Sequence, residues 1–80
     1  MSVTVFTSPS CHGCRVTKAW LSRRDIDFTE RDVTEDPAAL DDARATGYVT
    51  LPIVTVTRPD RDTVTWSGFS VTQLERNLGV

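Results

Sequence analysis

Two cysteines, Cys11 and Cys14, lie at the junction between a strand-like and a helix-like stretch of the sequence. The stretch before them, residues 3–7, is β-branched and aromatic, which is typical of a short buried strand. The stretch after them, ending at about Arg24, has apolar residues at helical spacing. The apolar residues that we expect to face the core are Val16, Ala19 and Trp20. The cysteine pair therefore lies where a strand leads into the first turn of a helix.

A cysteine at a helix start has a defined chemistry. Free amides and the positive end of the helix dipole stabilise a thiolate there, so we predict Cys11 as the nucleophile. Cys14 returns to the same side of the first turn, close enough for a disulfide but more shielded, and is predicted as the resolving thiol. The pair predicts a dithiol–disulfide oxidoreductase, a chemistry that needs no bound cofactor.

Metal binding is the main alternative for these cysteines. A closed zinc site has four ligands, and the chain holds only Cys11, Cys14 and the single histidine, His12, as Cys or His ligands. We therefore predict no metal site within one chain. A zinc or iron–sulfur centre would require a second subunit or exogenous thiols, which leaves a metal- or cluster-binding dimer as an alternative. His12 either tunes the thiolate or is a solvent-facing spacer.

Length and charge restrict the remaining possibilities. Eighty residues form one small domain, residues 1–80, because so short a chain cannot supply two cores. The formal net charge is −2, and the arginines are interleaved with aspartates, so no nucleic acid partner is predicted. Neither a signal-like start nor a bilayer-length apolar stretch is present. We expect a monomer in the cytoplasm, away from membranes, where thiols are kept reduced.

The middle of the chain predicts a strand followed by a helix. Residues 26–33 are interpreted as a strand that suits a sheet edge, with Phe28 as its apolar anchor. Asp36 can cap a helix, and Pro37 fits its first position. That helix is expected to end near Gly47.

The next segment predicts a β-hairpin. Residues 51–56 and 63–66 have strand patterns, and the polar residues 58–62 between them are typical of a turn. Pro52 begins the first of these strands. It either has a trans bond, as base rates favour, or a cis bond that leaves the preceding backbone exposed for pairing with an extended substrate.

The last helix carries the clearest boundary signals. Ser70 and Gln73 fit a capping box, and Phe69 and Leu74 occupy the positions of a hydrophobic staple. Gly79 is placed to end the helix. The order β-α-β-α-β-β-α predicts an α/β fold in which a parallel β-α-β unit precedes an antiparallel hairpin, giving a four-stranded mixed sheet.

These motifs together resemble the NrdH-redoxin family, glutaredoxin-like small redoxins of the thioredoxin superfamily. The similarity covers nearly the whole chain. The matching stretches are residues 3–11, Asp32-Val33-Thr34, Gly47-Tyr48 and the tetrad Trp66-Ser67-Gly68-Phe69, of which the tetrad is the most discriminating. The resemblance implies a minimal thioredoxin/glutaredoxin fold with Pro52 in cis. It also implies electrons that come from NADPH through thioredoxin reductase and pass to a class Ib ribonucleotide reductase or another disulfide-bearing protein.

The resemblance also suggests which residues contact substrate or partner. They are His12, Gly13, Thr50, Leu51, Pro52, Trp66, Ser67, Gly68 and Phe69. For Trp66 and Phe69, packing in the core is the alternative explanation.

The chain departs from the family pattern at three places. Ser8 replaces the usual Lys, Leu51 replaces the common Ala, and residues 70–72 are Ser-Val-Thr where the family has Arg-Pro-Asp. A glutaredoxin that depends on glutathione or another low-molecular-weight thiol is the second alternative, since Thr50-x-Pro52 is similar in ordinary glutaredoxins. Those proteins, however, typically carry a basic residue near the dithiol and acidic residues at the last helix start. Ser8 and residues 67–72 lack those charges, so glutathione binding is poorly supported.

Overall fold

The seven predicted elements are present in the predicted order. The computed structural model describes residues 2–59 and 62–78. The elements are β1 (Ser2–Thr7), α1 (His12–Arg23), β2 (Thr29–Asp32), α2 (Pro37–Ala45), β3 (Ile53–Thr57), β4 (Thr63–Ser67) and α3 (Val71–Leu78). No helix in the part of the chain that the structure describes has the length and apolar character needed to cross a membrane.

The four strands form one mixed sheet in the order β2-β1-β3-β4. β1 pairs in parallel with β2, with Thr4 opposite Thr29, and antiparallel with β3, with Phe6 opposite Ile53. β3 and β4 form the antiparallel hairpin. The predicted α/β fold with a four-stranded mixed sheet is confirmed, and β2 lies at a sheet edge, as its charged sequence indicated.

Two apolar clusters hold the helices against the sheet. Side chains alternate between faces along a strand, so Val5 belongs to a cluster with Trp20, Leu21 and the α3 residue Leu74. Its neighbour Phe6 belongs to a second cluster with Ala39 and Ala43 of α2, and with Ile53. The C-terminal end of β1, which leads to the cysteines, is thereby anchored on both faces.

The buried face of α1 differs from the predicted one. Val16 is only half-buried and Ala19 is exposed, whereas Cys14, Thr17, Trp20 and Leu21 are buried. Thr17 can turn inward because its hydroxyl donates to the Gly13 carbonyl oxygen at 2.8 Å. A polar residue with an internal partner carries little cost of burial. Counting apolar residues therefore placed the core-facing stripe about one residue away from its observed position.

β2 is shorter than predicted. The strand pattern of residues 26–33 extends beyond the ladder, which covers only Thr29–Asp32. Asp25 has a positive φ of 55°, and the Ile26 amide donates back to the Leu21 carbonyl at 3.0 Å. Ile26 and Phe28 still pack against the first cluster, but they do so from the connection between α1 and β2.

The helix caps follow the sequence signals in part. Asp36 accepts a hydrogen bond from the Ala38 amide at 3.0 Å, which confirms the cap of α2, an interaction typically worth about 1 kcal/mol. Ser70 Oγ accepts from the Gln73 amide at 3.3 Å. The other half of the predicted capping box, in which the Gln73 side chain would bond back to the Ser70 amide, was wrong. Gln73 Oε1 accepts a hydrogen bond from Asn77 Nδ2 at 3.1 Å instead. The predicted helix end at Gly79 lies outside the described residues.

Ion pairs attach the β2 edge to both neighbouring helices. Lys18 of α1 donates to Glu30 at 2.6 Å, and Arg31 binds Asp42 of α2 at 2.5 Å. The Lys18 hydrogen bond lowers the pKa of Glu30 below its ordinary value. Hydrogen bonds from Thr34 lower the pKa of Asp32 in the same direction.

Candidate dithiol site

Cys11 lies at the N-cap of α1, as the sequence predicts. Its backbone is extended, with φ −88° and ψ 108°, and its sulfur accepts a hydrogen bond from the Cys14 amide at 3.1 Å. The Cys11 amide donates to the Ser8 carbonyl at 3.2 Å, which closes the loop before the helix. The side chain is partly exposed. A hydrogen-bond donor and the helix N-terminus therefore both face a sulfur atom that solvent can reach.

Cys14 is placed in the opposite environment. It is 1% exposed, and its sulfur lies 3.9 Å from the Phe6 carbonyl oxygen. The two sulfurs are bonded to each other, with the Cα atoms 5.2 Å apart. The disulfide thus joins one accessible cysteine to one that is covered by the first turn of α1 and by β1.

Pro52 lies directly against the first turn of α1. The Leu51–Pro52 bond is cis, which confirms what the family resemblance implied, and Pro52 is fully buried. A Cβ on Gly13 would lie 3.2 Å from Pro52 Cδ, closer than ordinary van der Waals contact. The absence of a side chain at position 13 lets the dithiol turn approach Pro52.

Residues 67 and 68 hold the other side of Pro52. The Gly68 amide donates to the Pro52 carbonyl at 2.8 Å, and Ser67 Oγ donates to the Thr50 carbonyl at 2.6 Å. Gly68 has a φ of 86°, a left-handed conformation that favours glycine. The structure therefore brings Gly13, Pro52 and Gly68 together beside the cysteines. Thr50 and Ser67, which are joined by a hydrogen bond, lie next to them.

The remaining candidate residues fall into different environments. His12 is exposed on the first turn of α1, and Leu51 is half-buried against the second cluster. Phe69 is 40% exposed, so its ring is available at the surface. Trp66 is only 5% exposed and packs within the first cluster. This burial favours core packing, the alternative explanation that the sequence offered for Trp66.

Sequence reasoning missed an apolar surface beside Leu51. Tyr48 is 43% exposed and Val49 is 96% exposed. They border a cavity of about 220 Å³ whose other lining residues are Val33, Leu40, Ala43, Arg44, Leu51 and Ile53. Two large apolar residues directly after a helix-ending glycine were the available signal, because exposed loops rarely use such residues without a reason.

Metal binding was the main alternative for the two cysteines. Among residues 2–59 and 62–78, no three or more His, Cys, Asp and Glu side chains form a group that could hold a metal ion. What the described site offers chemically is the disulfide and the polar and apolar groups around it.

The known proteins similar to this chain include two groups. In the first, the global transcriptional regulator Spx 1 of Oceanobacillus iheyensis is 48% identical over 42 residues, or 52% of this chain and 32% of that protein. The Spx of Listeria innocua is 45% identical over the same share. The chain thus spans about a third of the length of the curated relatives that it matches.

In the second group, a solved structure matches along nearly the whole chain. The glutaredoxin-like protein NrdH-redoxin from Escherichia coli is 32% identical, with a TM-score of 0.81, over 95% of this chain and 93% of that one. The glutaredoxin family model matches residues 3–58, a range that includes both cysteines and Pro52. This chain therefore belongs to the glutaredoxin family, as a small redoxin whose fold resembles that of NrdH-redoxin.

Proposed function

We propose that the chain is a dithiol–disulfide oxidoreductase that reduces disulfides in partner proteins. The observation that carries the proposal is the contrast between the two cysteines. Cys11 is accessible, and its sulfur accepts a hydrogen bond from the Cys14 amide. Cys14, in contrast, is only 1% exposed. A nucleophile has to meet the substrate, and a resolving thiol has to meet only its neighbour.

The electron transfer follows from this arrangement. In the reduced protein, the Cys11 thiolate attacks one sulfur of the partner's disulfide, and the other sulfur leaves as a thiolate. Cys14 then loses its proton to solvent and attacks Cys11 Sγ. This step restores the Cys11–Cys14 bond and releases the partner's second thiolate, so two electrons pass to the partner. No bound cofactor takes part.

The helix geometry favours the first step. The Cys14 amide and the N-terminus of α1 stabilise negative charge on Cys11, whether it is the attacking thiolate or the leaving group during re-reduction. The Gly13–Pro52 contact and the Gly68 hydrogen bond to Pro52 fix the backbone beside it. The site is therefore formed before a partner arrives.

For the partners, we propose thioredoxin reductase as the electron source, with NADPH as the ultimate donor. We propose a class Ib ribonucleotide reductase or another disulfide-bearing protein of the cytoplasm as the recipient. The similarity to Escherichia coli NrdH-redoxin, whose activity profile is described as thioredoxin-like, supports this choice. The exposed rings of Tyr48 and Phe69 offer apolar contact area of the kind that protein partners bury.

Use of glutathione is the second candidate, and membership of the glutaredoxin family favours it. Two uncharged stretches beside the dithiol argue for a protein partner instead. Residues 8–10 and 67–72 carry hydroxyl and apolar side chains but no charge, whereas glutathione has two carboxylates and an ammonium group to bind.

Two coupled assays separate these candidates. One supplies NADPH and thioredoxin reductase, the other supplies NADPH, glutathione and glutathione reductase, and both follow NADPH consumption with a disulfide substrate. We expect turnover in the first assay at least tenfold above the second. Turnover only with glutathione, together with activity in a Cys14→Ser variant on a glutathionylated substrate, would establish the glutathione-dependent alternative.

The roles of the two cysteines are tested by trapping. Cys14→Ser is expected to retain a mixed disulfide between Cys11 and a disulfide-bearing protein, because no resolving thiol remains. Cys11→Ser is the matched control and is expected to trap none, since Cys14 is buried. Equal trapping by both variants, measured on non-reducing gels, contradicts the assignment.

A further inference from the structure

β4 is an edge strand without charged side chains. It is five residues long, Thr-Val-Thr-Trp-Ser, and in the part of the chain that the structure describes only β3 pairs with it. Natural edge strands are usually blunted by charge, proline or a bulge, because unpaired backbone groups invite another strand. Residues 63–67 contain none of these devices in sequence, and their pairing with β3 runs without interruption from Thr63 to Ser67.

The backbone groups that point away from β3 can be identified. The Gly68 amide donates to the Pro52 carbonyl, which directs Gly68 toward β3. Since residues of an antiparallel strand alternate in direction, Thr63, Thr65 and Ser67 present their amides and carbonyls to the open edge. An independent contact agrees, because Tyr48 Oη donates to the Thr65 carbonyl oxygen at 3.4 Å from outside the ladder.

The exposed edge is complementary to itself. We propose that two copies of this chain associate through antiparallel β4–β4 pairing about a twofold axis at Thr65, which joins their sheets into one. In that register Thr65 faces Thr65 of the second copy and Thr63 faces Ser67, forming up to about six backbone hydrogen bonds. All three residues carry hydroxyls on one sheet face. The pairing repeats the hydroxyl contacts already present between Thr55 and Thr65 at 3.2 Å.

Charge does not oppose the pairing. α3 lies on the same side of the sheet as the Trp66 side chain, which it contacts through the cluster that includes Leu74 and Leu78. The charged residues of α3 are one acid and one base, Glu75 and Arg76. Two copies of α3 brought side by side therefore carry no net charge toward each other. The β2 edge, with Glu30, Arg31 and Asp32 in four residues, lacks this neutrality.

The proposed dimer is expected to be weak. A five-residue edge provides less area than a stable interface, which usually buries at least about 1,200 Å² in total. Tyr48 also occupies one of the carbonyls that the partner strand would use. The association should therefore exchange rapidly and depend on protein concentration, in place of the monomer that the sequence alone led us to expect.

Sedimentation velocity across a concentration series tests the proposal. The weight-average sedimentation coefficient of the wild-type protein is expected to rise between about 10 µM and 1 mM, the range of a weak interface. Thr65→Pro removes an outward-facing amide and the hydroxyl that contacts Thr55 but no ladder hydrogen bond to β3, so it should keep the fold and stay monomeric at every concentration. If Thr65→Pro fails to fold, Thr65→Lys provides the same test by placing charge on the edge. A wild-type protein that is monomeric throughout, or a folded Thr65 variant that associates like wild type, overturns the proposal.

Cross-linking locates the axis. In a Cys11→Ser, Cys14→Ser background, Thr65→Cys should give a covalent dimer with a short bismaleimide at high concentration. The matched control Thr29→Cys, exposed on the opposite edge strand, should give at least fivefold less. Equal cross-linking of both variants overturns the register. Thr65 is outside the dithiol site, so Thr65→Lys should keep disulfide reductase activity, and this inference and the proposed function can fail separately.

Discussion

The two edge strands of the sheet, β2 and β4, differ in charge and in how they are attached to the rest of the molecule. β2 carries two acids and a base in four residues and is fastened to α1 and α2 by the Lys18–Glu30 and Arg31–Asp42 ion pairs. β4 carries no charge, and among the described residues a tyrosine hydroxyl is the one side-chain group bonded to its outward backbone. A sheet this small protects one edge with electrostatics and leaves the other available for contact.

The same two strands also contribute differently to the core. β2 has no fully buried side chain, and its members range from half-buried to exposed. β4 inserts Trp66, which is 5% exposed, among the residues of the first cluster. β2, which ion pairs attach to the helices, therefore contributes little apolar burial. β4, the open edge, is held by the packing of Trp66 in the core.

The largest effect that this comparison predicts is at Trp66. Trp66→Ala should destabilise the protein by about 3–5 kcal/mol, because it leaves a large cavity in the first cluster. Trp66→Phe is the matched control and should cost less than about 2 kcal/mol. The indole Nε1 is buried without a partner among the described residues, so deleting that donor forfeits no hydrogen bond. Urea unfolding measures both, and a cost below 1 kcal/mol for alanine would contradict the assignment of β4 to the core.

A smaller effect is expected at Arg31 on the other edge. Arg31→Ala removes the pairs with Asp42 and Asp36 and a guanidinium 5.5 Å from the Phe6 ring centre. Since these groups are partly exposed, the loss should be about 1 kcal/mol. Urea unfolding at low and at 1 M salt is the measurement. The difference between wild type and variant should shrink at high salt, and a salt-independent loss would assign Arg31 a packing role instead.

The smallest effect is a pH dependence confined to the β2 edge. The pKa of Glu30 is lowered by its Lys18 hydrogen bond, so this pair contributes stability above the ordinary glutamate pKa of about 4.3. The contribution is lost as pH falls through the lowered folded pKa. For this exposed pair it should stay below about 1 kcal/mol. The stability difference between wild type and Glu30→Gln, measured at pH 7, 5 and 3, should therefore disappear toward pH 3.

Local signals predicted those parts of the molecule that depend on neighbouring residues. Asp36 caps α2 because its side-chain oxygen reaches the amide of Ala38, two residues later, whatever the helix packs against. Cys11 is at the N-cap because the strand pattern ends before it and the helix pattern begins after it. The order of elements and the edge position of β2 followed from the same kind of evidence.

Other features were not readable in the sequence. Thr17 faces the core because its hydroxyl donates to the Gly13 carbonyl four residues earlier, a local contact that a count of apolar residues does not detect. The sequence offered surface contact and core packing as alternatives for Trp66 and Phe69, and only tertiary packing buries one and leaves the other 40% exposed. The sequence analysis named Tyr48 only as part of a family pattern. Its hydrogen bond to Thr65 was not predicted, because the two residues are 17 apart in sequence.

The two residues between the cysteines offer unequal freedom to protein engineers. Position 12 is exposed, so a library that randomises His12 changes the side chain beside the dithiol while the backbone stays in place. Position 13 is different, because even a methyl group there would lie 3.2 Å from a buried proline ring. Redesign of this redox centre therefore has one freely adjustable residue, and a side chain at the second requires Pro52 to shift by a few tenths of an ångström.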